Sequence, residues 1–141
     1  MEAIDPVIGT WDLNLSKSRF INKPTPFSYR SATRTYRQDP EGIFSIVNAV
    51  LPDGSPFSEG MTFKADGKFY EHTGNPLIET MSEERIDSHT LVLTTKKGDK
   101  VVGAGTRTIA PDGKLLTMTF IYIDAEGIMR GHVAAYDKRE G

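Results

Sequence analysis

The sequence predicts an all-β fold, an antiparallel up-and-down β-barrel of about eight to ten strands. Residues 7–15 alternate between apolar and polar positions around the single tryptophan, Trp11, as a strand with one buried face does. Turn-forming combinations of Pro, Asp, Asn and Gly recur along the chain, and no window has a helical period. Closure into a barrel removes the two long edges of an open sheet. A β-sandwich is the alternative architecture.

Each predicted strand is bounded by turn residues. The ten predicted strands span residues 7–15, 27–37, 43–51, 57–64, 68–72, 77–86, 90–96, 100–109, 115–123 and 128–137. Pro-Asp-Gly stands at 52–54 and again at 111–113, and Asp-Gly at 66–67 predicts a hairpin. Two prolines in residues 16–26 predict a loop that begins with one helical turn. Short connections favour pairing of consecutive strands in a meander.

Length and composition narrow the class of protein. The 141 residues suit one domain over residues 1–141, and 38% hydrophobic with 26% charged residues is typical of a globular chain. A net charge of −2 without a basic run argues against nucleic acid as a partner. No apolar run is long enough to span a bilayer, so we expect no membrane insertion. The N-terminus lacks the pattern of a signal peptide, so we expect a cytoplasmic protein unless a leader precedes it.

Chemistry-bearing motifs are sparse. The chain has no cysteine, hence no disulfide or thiolate ligand, and no nucleophile elbow or phosphate loop. His72, His89 and His132 lack partners at metal-binding spacing. We therefore expect neither a metal nor a cofactor.

The last predicted strand supplies the first candidate site residues. Arg130, His132 and Tyr136 share one face of it, and an inward His132 would be an acid or base suited to neutral pH. The alternative places Val133 and Ala135 inside instead.

Other strands also carry candidate interior residues. Glu59 shares a face with the large apolar residues Met61 and Phe63, where burial would raise a carboxyl pKa. Phe120 and Tyr122 lie on one face of the most apolar predicted strand, residues 115–123. Two arginine pairs are candidates for an internal anion site or for the outer surface, namely Arg30 with Arg34 and Arg37 with Arg107.

Residues 9–20, Gly-Thr-Trp-Asp-Leu-Asn-Leu-Ser-Lys-Ser-Arg-Phe, resemble the Gly-Thr-Trp-x-Leu-Asn-x-x-Lys-Ser-x-Phe opening of bacterial lipocalin-like proteins. Residues 96–103 and 110–117 resemble later segments of that family, and the resemblance implies a calycin-type barrel without one shared chemistry. A more distant similarity links the chain to intracellular fatty-acid-binding proteins. Tyr136 matches that family's tyrosine, whereas Ala134 stands where its carboxylate-binding arginine would be.

Two functions are compatible with such a barrel. The first is binding of a small hydrophobic organic molecule, with a wall that includes Trp11, Glu59, Met61, Phe63, Phe120, Tyr122, His132 and Tyr136. The second is a cofactor-free cyclase, isomerase or hydratase in the same cavity, with the catalytic candidates Glu59, Tyr122, His132 and Tyr136. A filled barrel with a structural or interaction role is a third option. A homodimer is compatible with each.

Overall fold

The computed structural model describes residues 5–21, 29–124 and 126–140, and these form one antiparallel sheet of ten strands. The strands in chain order are β1 Gly9–Ile21, β2 Ser31–Asp39, β3 Gly42–Val50, β4 Pro56–Phe63, β5 Asp66–Glu71, β6 Thr80–Arg85, β7 Thr90–Lys97, β8 Lys100–Ile109, β9 Leu115–Ile123 and β10 Met129–Lys138. The predicted all-β barrel of about ten strands is confirmed. No helix long and apolar enough to cross a membrane occurs in the described part of the chain.

The sheet curls into a nearly closed barrel, with strand order β4-β3-β2-β1-β10-β9-β8-β7-β6-β5. The first and last strands pair, so Leu13 lies opposite Tyr136. The two end strands, β4 and β5, meet only at a bridge between Gly60 and Thr73, whose backbones exchange hydrogen bonds of 3.0 and 2.9 Å. A Cβ at Gly74 would lie 2.1 Å from the carbonyl oxygen of Ser58, so glycine permits this contact.

Two expectations about connections are wrong. The hairpin predicted at Asp66 and Gly67 does not form, because β5 pairs with β6 and separates from β4 beyond the single bridge. The loop with a helical turn predicted over residues 16–26 is wrong over residues 16–21, which continue β1, and its remainder falls on residues 22–26, outside the described residues. The predicted start of the second strand falls on residues 22–28, which lie outside the described residues.

Short polar side chains allow β1 to continue through an irregular stretch. Its register against β10 shifts between Asn14 and Arg19. The hydroxyl of Ser18 donates to the carbonyl oxygen of Asn14 at 2.7 Å and accepts from the backbone N–H of Ala135 at 3.0 Å. Ser18, which lies in the segment predicted as a loop, thus supplies side-chain hydrogen bonds where the shift in register interrupts the backbone hydrogen bonds between β1 and β10.

One end of the barrel is filled by the packed core. Trp11 is 0% exposed, and its indole N–H donates to the carbonyl oxygen of Val7 at 2.8 Å. Phe63, Leu91 and Leu116 are also fully buried, and the strand registers place them near Trp11's end of the barrel. We call the opposite end of the barrel the mouth.

Candidate functional site

A cavity of about 220 Å³ lies at the mouth, which we call the mouth cavity. Its walls come from the ends of β7 and β9, the start of β8 and the segment before β6. The apolar residues of its wall are Leu77, Ile78, Val102, Phe120, Tyr122 and Ile123. Lys97, Lys100 and Asp124 supply charge at its rim. The space suits an apolar body that enters between charged groups.

A β-bulge shapes one wall of the mouth cavity. Thr95 pairs with Gly103, but Lys96 pairs with Val101, so Val102 has no partner on β7. Val102 lines the cavity, whereas Val101 is 55% exposed on the outer face. Two adjacent valines thus lie on opposite sides of the barrel wall.

Glycine makes room for the aromatic ring that separates the mouth from the interior. A Cβ at Gly103 would approach the ring of Phe120 to 2.7 Å and the hydroxyl of Thr95 to 2.9 Å. A side chain at this position would therefore displace Phe120 from its place. The Phe120 and Tyr122 rings stack with their centroids 5.7 Å apart.

A second cavity of about 50 Å³, the central cavity, lies deeper in the barrel. Ile78 and Phe120 belong to the walls of both cavities. The polar and charged wall residues include Arg34, Tyr36, Glu59, His72, Glu83 and His132. The barrel therefore offers an apolar outer space and a small polar inner one.

Glu59 lies in a hydrogen-bonded cluster on the wall of the central cavity. Its Oε2 accepts a hydrogen bond from Nδ2 of Asn75 at 3.0 Å and lies 3.3 Å from Nε2 of His72. All three side chains are buried, and among the described residues Nδ1 of His72 has no hydrogen-bond partner. Asn75 is fixed in turn, because its Oδ1 accepts from the backbone N–H of Leu77 at 2.9 Å. A carboxylate and an imidazole thus meet at one cavity.

Arg107 and Glu83 form a separate buried ion pair. The guanidinium Nη1 lies 2.8 Å from Oε1 of Glu83, and it stacks over the rings of Tyr36 and Phe63 at 5.1 and 5.6 Å. Burial raises the pKa of Glu83, and the positive charge of Arg107 opposes that rise. The positive charge of Arg107 and the negative charge of Glu83 therefore compensate each other inside the barrel.

Arg34 is held differently. Its guanidinium lies 5.2 Å above the ring of Tyr136, and Nη1 donates to the hydroxyl of Tyr36 over a long 3.4 Å. Its Nε is buried and has no hydrogen-bond partner within residues 5–21, 29–124 and 126–140. Burial opposes the charged form, but Tyr136 and Tyr36 outweigh it, and the pKa of Arg34 lies well above its ordinary value.

The inward orientation of His132 is confirmed, while its predicted titration near neutral pH is not. The imidazole is buried between the rings of Phe20 and Phe120, at centroid distances of 5.8 and 6.2 Å. Burial first, and then the charge of Arg34, lowers the pKa of His132 to about 3. The ring is neutral at pH 7, so it is unsuited as a general acid there.

The other predicted wall residues divide into two groups. Met61 lines the central cavity and Tyr122 the mouth cavity. Trp11, Phe63 and Tyr136 are packed in the core and line neither cavity, Tyr136 lying beneath Arg34.

The predicted arginine pairs do not form. Arg34 and Arg107 lie inside, whereas Arg30 and Arg37 are exposed. Asn75 and Val102 were not predicted as site residues, because one lies in a turn and the other depends on a bulge. Among the described residues, no group of three or more His, Asp or Glu side chains could hold a metal ion.

Comparison with known proteins establishes the fold. No protein-family model and no curated protein matches the chain. Among solved structures, it is similar to the zebrafish ileal bile acid-binding protein complexed with cholic acid. The TM-score is 0.50 at 11% sequence identity, over 95% of this chain and 99% of that one. At this identity the likeness shows a shared barrel fold, of the type found in fatty-acid-binding proteins.

Proposed function

We propose that the protein binds a small hydrophobic organic molecule in the barrel, with most of its apolar body in the mouth cavity. The observation that carries this proposal is the apolar 220 Å³ space at the mouth, whose wall residues Ile78 and Phe120 also line the central cavity. The similar zebrafish protein, which is described as binding cholic acid, supports the proposal. The opening motif at residues 9–20 further supports membership of the lipocalin-like family.

The cavity sizes limit the ligand. Pockets for drug-sized molecules span roughly 300–1,000 Å³, and the two cavities here measure about 220 and 50 Å³. Burial of about 200 Å² of apolar surface would contribute about 5 kcal/mol before the cost of association. We therefore expect a compact ligand and a dissociation constant of about 0.2 mM or weaker.

The fluorescent apolar probe N-phenyl-1-naphthylamine tests the proposal. We expect its emission to rise on titration with the protein, and the V102W variant to abolish the rise because the indole fills the mouth cavity. The V101W variant is the matched control, since it adds the same side chain on the outer face. Absence of binding to the unsubstituted protein, or equal binding by both variants, would contradict the proposal.

A second candidate function is a cofactor-free isomerase, cyclase or hydratase. The specific observation is the buried contact of Glu59 with His72 at 3.3 Å on the wall of the central cavity. A carboxylate beside an imidazole can take a proton from a bound molecule and return it elsewhere. The apolar walls would hold the substrate while the pair acts on it.

Native mass spectrometry of the protein from its host tests this second candidate. A small molecule released from the protein would be incubated in D₂O with the unsubstituted protein and with E59Q. Conversion or deuterium uptake that requires Glu59 supports an enzyme, whereas an unchanged molecule supports a binding protein. The homodimer and the cytoplasmic location remain predictions from the sequence.

A further inference from the structure

Arg34 is a half-buried cation on the wall of the central cavity, and it has no anionic contact among the described residues. Within the described residues it forms no ion pair, whereas Arg107 contacts Glu83 at 2.8 Å. The negative charge of Glu59 is held by Asn75 and lies beside His72. The Nε of Arg34 donates to no acceptor in the described part of the chain. A guanidinium in this state has unused capacity to bind an anion.

The groups around Arg34 are suited to an anionic partner. Its aromatic neighbours, Tyr36 and Tyr136, hold the guanidinium in place without neutralising its charge. His132 is neutral and therefore adds no competing positive charge. The charged and titratable groups facing this space are Arg34, Tyr36, Glu59, Glu83, His72 and His132, and Arg107 lies behind Glu83 as its ion-pair partner. The two carboxylates already have partners.

The sizes of the two cavities match a molecule with a small head and an apolar body. One water needs about 10–15 Å³ of such space, so 50 Å³ accommodates a carboxylate-sized group with little room beyond it. The mouth cavity, which shares Ile78 and Phe120 with the central one, receives the remainder. Lys97 and Lys100 at the rim favour the approach of an anion, because the third charged rim residue, Asp124, is paired with Arg130 at 2.6 Å.

We propose that Arg34 is an anion-binding residue of the central cavity, and that the ligand is an amphiphile with one acidic head that enters head first. The inference rests on the proposed function and specifies its ligand class. The guanidinium fork would donate charge-assisted hydrogen bonds to the head, with Nε among the donors.

Competition between two matched probes tests the proposal. Octanoate and octan-1-ol share one chain length and differ in the charge of the head, and each would displace N-phenyl-1-naphthylamine from the protein. We expect octanoate to compete at least tenfold more strongly than octanol, and R34Q to remove this preference while octanol binding persists. R37Q is the matched control, because Arg37 lies on the outer face of the same strand.

The possible outcomes separate the two proposals. Equal competition by octanoate and octanol overturns the role of Arg34, although binding of the naphthylamine would still support a hydrophobic ligand. Failure of the naphthylamine and both octyl compounds to bind overturns both proposals. If R34Q does not fold, the unsubstituted protein and R34K are compared instead. A preference of both for octanoate over octanol supports the role of Arg34, and equal competition by the two compounds overturns it. A preference that R37Q removes as fully as R34Q would also contradict the assignment.

Discussion

Burial of a neutral His132 predicts that stability falls as the pH is lowered from 7 to 5. The pKa of His132 is about 3 in the folded protein, against 6.5 for an ordinary histidine. Below pH 6.5 the unfolded chain therefore binds a proton that the folded protein excludes, and stability declines down to about pH 3. Linkage gives a loss of about 2 kcal/mol between pH 7 and pH 5, and about 5 kcal/mol in the low-pH limit.

Urea unfolding at pH 7 and pH 5, followed by fluorescence of Trp11, measures this loss. Trp11 is the single tryptophan and is fully buried, so its emission reports on the native core. The H132Q variant cannot titrate at this position, and groups such as Glu83 contribute to both proteins. We expect the unsubstituted protein to lose about 2 kcal/mol more than H132Q over the interval. Equal losses, or an imidazole NMR titration with a midpoint near 6.5, would refute the reasoning.

Three further predictions concern the barrel interior. Gly105→Ala would place a Cβ 1.9 Å from a carbonyl oxygen of β9, so we expect a loss of about 3 kcal/mol in urea unfolding, and an unchanged midpoint would contradict this. Arg107→Met leaves the buried carboxylate of Glu83 without its ion-pair partner, so we expect the free energy of unfolding to fall by about 3–5 kcal/mol. The added substitution E83M should restore most of this loss, whereas simple additivity of the two substitutions would contradict the reasoning. Asn75→Ala removes a donor from Glu59 and should cost about 1–3 kcal/mol by thermal unfolding, whereas a change within error would show that the contact is dispensable.

Much of the fold was predictable because turns and alternation are local features. The Pro-Asp-Gly segments at 52–54 and 111–113 both fall between strands, as predicted. The continuation of β1 was not predictable, because Ser16 and Ser18 suit a loop and a bulge equally well. The separation of β4 from β5 depends on a long-range approach at Gly74, which no local pattern encodes.

The site was predictable where alternation is regular. Glu59 lies inside with Met61 because β4 keeps its period of two. On β8 a bulge changes that period at Val102, so inward and outward positions could not be assigned by counting. The placement of Arg34 inside depends on the tyrosines that surround it, which come from β2 and β10.

Intermolecular NOEs between N-phenyl-1-naphthylamine and methyl groups of the protein test the central claim most directly. Ile78 and Val102 line the mouth cavity, whereas Ile121 and Val101 are exposed on the outer face, 49% and 55% respectively. With isoleucine and valine methyls labelled, we predict NOEs from the probe to Ile78 and Val102. NOEs to Ile121 and Val101 without any to the cavity pair would place the molecule outside the barrel and contradict the proposed function.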